Sequence, residues 1–121
     1  MTAIASLILS AALGTCSPAA TCSDVVANFT GHIEESGIKV TWSTDSEDGS
    51  APTVALYIIR RYQSDPMESQ YVASVEDAGS CATTEDYSYK EEPKPTGAWT
   101  YTLEVWRSDS VRQCAVDAVP E

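Results

Sequence analysis

Hydrophobic and polar side chains alternate along most of this chain with a period of two, the period at which a β-strand turns its faces. The longest such run is 97–107, with Trp99, Tyr101, Leu103 and Val105 on one face and Thr100, Thr102 and Glu104 on the other. It opens after Pro95-Thr96-Gly97 and closes at Ser108-Asp109-Ser110, both turn-forming clusters. Residues 24–30 read as a first strand with Val25, Ala27 and Phe29 on one side, and 38–42 as a second with Ile38, Val40 and Trp42 inward. Residues 54–62 are apolar on both sides, which places that strand in the middle of a sheet or under a covering element. Shorter strands are expected at 70–75, 85–90 and 111–119.

Turn and loop chemistry fills the gaps. Residues 31–37, with His32, Glu34 and Glu35 before a glycine, suit a turn, and 43–52 and 76–84 read as polar loops. Residues 63–69 form a connection, and the two prolines of 91–97 take that segment out of any hydrogen-bonded ladder. No helical stripe of useful length, internal repeat or low-complexity tract follows the N-terminal region. Seven short strands at a spacing of roughly ten residues predict an all-β, seven-stranded antiparallel two-sheet sandwich. Its expected core holds Trp42, Tyr57, Tyr101, Leu103 and Val105. A chain of 121 residues, 43% hydrophobic, has material for one such core, assigned to 24–121.

The N-terminus is different in kind. Residues 1–14 form an uncharged apolar run, shorter than the roughly 20 residues that cross a bilayer as a helix. Small residues flank a possible cleavage point after Gly14, so the run reads as an export signal, although the usual basic start is missing and a retained helix is the competing reading. Leu13-Gly14-Thr15-Cys16 also resembles a lipid-attachment box, in which Thr15 fits poorly. Residues 15–23 are a small, polar, cysteine-containing tail. The four cysteines, Cys16, Cys22, Cys81 and Cys114, include no C-x-x-C pair, which favours disulfides over metal or thioredoxin-like chemistry and implies an extracellular or envelope location. Against 7 basic residues stand 18 acidic ones, a net charge of -11 that repels nucleic-acid backbones and anionic lipids. Membrane association is therefore expected only through the N-terminal segment.

Four segments, 38–42, 56–61, 85–87 and 96–105, resemble fibronectin type III domains over about 24–120. They match the second-strand Trp at Trp42, the third-strand Tyr-x-hydrophobic at Tyr57, a fifth-strand Asp at Asp86, and the Gly followed by Tyr-x-hydrophobic-x-Val of the sixth strand at Gly97 and Tyr101 to Val105. The resemblance implies an immunoglobulin-like sandwich in which Trp42 is the core Trp and Tyr101, or Trp99 if the register slips, is the tyrosine-corner residue. The chain departs from the pattern in its cysteines. Within the implied topology Cys22 and Cys114 lie on neighbouring edges, so the resemblance implies Cys22 with Cys114 and Cys16 with Cys81; Cys16 with Cys22 and Cys81 with Cys114 is the alternative.

Catalytic chemistry finds little to work with. His32 is the single histidine, which leaves no histidine cage and no two-histidine copper site. Asp45, Glu47 and Asp48 are a weak calcium candidate, because their spacing departs from the known loop pattern. Neither an enzyme activity nor a cofactor is expected. Asn28-Phe29-Thr30 spells a glycosylation acceptor, which reads as chance beside this leader. What remains is surface: Trp106 is out of phase with the inward set, near Arg107, while Ile58, Arg60 and Tyr62 share one face of the adjacent strand. Either that face is an interface or Arg60 simply stacks over Trp106 within the monomer. Two functions are expected: a binding or adhesion module that contacts a protein or glycan through the Trp106 face or the acidic loop at 45–49, or a structural accessory subunit of an envelope complex or filament held by its N-terminal segment.

Overall fold

The computed structural model describes residues 26–44, 54–77 and 85–121. Among the described residues seven strands follow in order: β1 Val26–Ile33, β2 Ile38–Thr44, β3 Val54–Tyr62, β4 Gln70–Glu76, β5 Asp86–Glu91, β6 Thr100–Arg107 and β7 Arg112–Ala118. They form two antiparallel sheets, β1-β2-β5 and β4-β3-β6-β7, stacked as a sandwich compatible with an immunoglobulin-like fold. The one described helical element is a single 3-10 turn, Pro66–Glu68, started by Asp65, whose side chain accepts from the Met67 amide.

Alternation explains most of the layering. In β2 it is regular, and Ile38, Val40, Trp42 and Thr44 all face the other sheet. The doubly apolar β3 sits between β4 and β6, as its composition requires. Tyr57 and Ile59 from β3 meet Tyr101, Leu103 and Val105 from β6 at essentially zero exposure, and Val26, Phe29 and Val54 complete the core. Trp42 lies across the middle of this layer, stacked on Tyr87 at 5.5 Å and edge-on to Tyr57 and Phe29.

β1 departs from the expected phase. Val26 and Phe29 are buried, whereas the sequence pattern grouped Val25, Ala27 and Phe29 on one side. The cause is a bulge: between the Ala27–Ser43 and Thr30–Thr41 pairs, two residues of β1 oppose one of β2. Asn28 takes φ 60 there, a left-handed conformation that asparagine tolerates better than most residues. The same strand runs on to Ile33, so His32 lies in a strand, paired with Lys39, and not in the expected turn.

Two close approaches fix the ends. A Cβ on Gly37 would stand 2.3 Å from the Glu91 carbonyl oxygen, so the β1–β2 turn can lie against β5 only with glycine there. On the β1–β7 side, the Ile33 amide donates to the Glu121 carbonyl and the Glu121 amide to the Gly31 carbonyl, linking β1 to the segment after β7.

Polar ties join the two sheets at opposite ends. Near the start of β3, the hydroxyls of Tyr57 and Tyr87 both donate to Asp77 Oδ1, at 2.9 and 2.8 Å. At the other end, the Tyr101 hydroxyl donates to the Glu91 carboxylate, which also faces Arg61 at 3.3 Å. Burial, and then the Glu91 carboxylate, raise the Tyr101 phenol above its ordinary value near 10. Arg61 in turn lies over Trp99, 4.4 Å from the ring centroid. Of the two aromatic residues considered for the sixth-strand corner, Tyr101 is the buried one.

Candidate functional site: the outer face of the four-stranded sheet

Side chains paired across neighbouring strands project to the same side of a sheet, so the register assigns each outer face residue by residue. On the four-stranded sheet one row runs Glu76, Leu56, Trp106, Arg112, and the next Ser74, Ile58, Glu104, Ala115. A third runs Tyr71, Arg60, Thr102, Asp117, and Tyr62 beside Thr100 closes the face. Trp106, Arg60, Ile58 and Tyr62 therefore share one surface. Arg107 does not: as the residue after Trp106 it turns to the other side, where its guanidinium holds Asp109 at 2.7 Å across the β6–β7 turn. That guanidinium also holds the Asp109 carboxyl below its ordinary range.

Glu104 is the unexpected centre of this face. It points outward yet is only 7% exposed, because its neighbours fold over it. Arg60 Nε reaches its Oε1 at 3.3 Å and Arg112 Nη1 its Oε2 at 3.2 Å. The Trp106 indole N–H donates to Oε1 at 3.1 Å. A buried carboxylate is costly without partners, and here three donors from three strands supply them. The expected stack of Arg60 over Trp106 is replaced by this arrangement: both groups turn to the carboxylate, and the one cation–ring contact among the described residues is Arg61 over Trp99. A second fixed acid lies nearby, since Asp117 accepts from the Thr102 hydroxyl at 2.7 Å and the Tyr62 hydroxyl at 2.8 Å. That contact raises the Tyr62 phenol above its ordinary value.

Sequence reasoning missed Glu104 and Asp117 because the two arginines that hold the first, and the Tyr62 and Thr102 hydroxyls that hold the second, come from other strands. The single local signal was an outward Trp two residues after an outward Glu.

Among the described residues no group of three His, Cys, Asp or Glu side chains is placed to hold a metal. None of the described helices is long and apolar enough to cross a membrane. The calcium candidate Asp45, Glu47 and Asp48 lies outside the described residues, as do the leader and Cys16, Cys22 and Cys81. Cys114, half-buried against the core on β7, is disulfide-bonded.

No protein-family model, curated protein or solved structure matches this chain. The sandwich and its outer face are thus the basis for any functional reading.

Proposed function

We propose that this chain is a non-catalytic binding module of the extracellular space or cell envelope, of fibronectin type III kind, which meets its partner through the outer face of the four-stranded sheet. The observation that carries this reading is the Glu104 cluster, a carboxylate held under Arg60, Arg112 and Trp106 on the outside of the sheet. It fixes an indole and two guanidiniums beside the aliphatic Leu56 and Ile58, so little side-chain freedom is left to lose on binding. Trp, Tyr and Arg are the residue types that most often dominate binding energy. The family reading draws support from Trp42 on the second strand, Tyr57 on the third and Tyr101, Leu103 and Val105 on the sixth. Export draws support from the disulfide at Cys114, since such bonds persist in oxidising compartments, and from the apolar run at 1–14.

Trp106→Ala tests the reading. The half-buried indole lies on the outside, so the variant should keep its thermal midpoint within a few degrees while retention of a partner from the native source falls at least tenfold. A lowered midpoint with unchanged retention would make Trp106 a structural cover and refute the proposal.

A further inference from the structure

The charges on the rim of the face narrow what it can meet. Both of its arginines are engaged by one carboxylate, Glu104. Its other two acids, Glu76 and Asp117, are exposed and have no ion-pair partner among the described residues. Hydroxyl donors from Tyr62 and Thr102 hold Asp117 in place and leave its charge uncompensated. The register puts Glu76 beside Leu56 on β4's side and Asp117 beside Thr102 on β7, diagonal corners roughly 20 Å apart by strand spacing and rise. Between these two exposed acids Leu56, Ile58 and Trp106 form an apolar patch beside the Arg60–Glu104–Arg112 cluster.

On the opposite face Lys39 and Lys90 stand side by side next to His32, Lys90 being held by Glu34 and Glu92. The net charge of -11 also draws cationic surfaces in from a distance. Leu56, Ile58 and the Trp106 ring supply apolar surface of the kind that protein interfaces bury within a polar rim. Resting on the reading that this face binds, we infer that its occupant is a partner protein whose surface sets lysine or arginine side chains around an apolar centre. Glu76 and Asp117 anchor the cations, and Ile58 and Trp106 take the apolar contact.

Titration of the uniformly 15N-labelled chain, followed by its amide and indole resonances, tests this with three probes. Two are acetylated, amidated peptides with the same Leu-Trp-Leu centre, one flanked by lysines and one by glutamates; the third is cellohexaose. The lysine peptide should saturably shift the Trp106 indole N–H and the amides of Thr102, Glu104 and Asp117. Asp117→Asn and Glu76→Gln should each weaken that binding about two- to fivefold, the range of an exposed ion pair. Asp86→Asn, on the other sheet, should leave it unchanged. Binding of the glutamate peptide or of cellohexaose at this face in preference would overturn the basic-partner inference and leave the binding face standing. Shifts spread equally over both faces would reduce the interaction to net charge and also overturn it. A Trp106 resonance unmoved by all three probes would count against the binding face itself.

Discussion

The two outer faces of this sandwich are built from the same alternation and come out chemically unlike. On the three-stranded sheet the register gives rows of His32, Lys39 and Lys90, then Thr30, Thr41 and Ser88, then Ser43 and Asp86, with no large apolar side chain. Its ion pairs, Lys90 with Glu34 at 3.0 Å and with Glu92 at 3.1 Å, stand in open solvent. There the partners raise the Lys90 ammonium and, led by the Ser36 hydroxyl, lower the Glu92 carboxyl from their ordinary values. On the four-stranded sheet the corresponding positions hold Leu56, Ile58, Arg60, Tyr62 and Trp106 around a carboxylate that is 7% exposed. A solvated face needs only polar side chains, whereas a half-buried ionic cluster in the open needs three strands to supply its donors. That difference in construction is the reason for assigning function to one face and solubility to the other.

The largest effect belongs to neither face. Trp42→Ala removes the ring that both layers pack on and should cost about 3–5 kcal/mol in urea unfolding, enough to disturb the two surfaces together. An unfolding cost below about 1 kcal/mol would mean that the layers do not meet at Trp42.

Glu104→Ala separates the faces. It strips Arg60, Arg112 and Trp106 of their shared acceptor and should cost about 1–2 kcal/mol, reduced from the buried-pair range because both arginines reach solvent. Ser88→Ala, its counterpart on the small sheet, should stay within about 0.5 kcal/mol. Equal losses at the two positions would erase the distinction.

Tyr101→Phe has a smaller effect with a pH signature. The folded phenol ionises above its ordinary value near 10, so its contribution is complete below that value and is lost as pH rises beyond it. At neutral pH the variant should lose about 1 kcal/mol with its hydrogen bond, and its alkaline unfolding limb should be flatter than that of the parent. Alkaline limbs of equal slope would show that Tyr101 titrates normally.

Much of the fold was legible because alternation is a local property. The run from Trp99 to Val105 and the run from Ile38 to Trp42 each carry their own inward set, and the doubly apolar 54–62 announced a central strand. What alternation does not encode is a change of phase. The bulge at Asn28 depends on how β1 lies against β2, so it shifted the inward set from Ala27 to Val26 without any apolar signal. The outer face was half legible. Trp106, Ile58, Arg60 and Tyr62 could be grouped by phase alone, but phase also left Arg107 nearby, and nothing local says that Glu104 is covered. Its two arginines arrive from the strands on either side, a cross-strand fact that only the register supplies.

The central claim is that one outer face binds and the other is merely wet. Site-specific photocross-linking in the native host compares them directly, with benzoylphenylalanine replacing Ile58 on the four-stranded sheet or Thr41 on the three-stranded one. A discrete protein adduct from position 58, absent from position 41 and lost on adding Trp106→Ala, is the predicted result. Adducts of equal yield from both positions, or from position 41 alone, would contradict it.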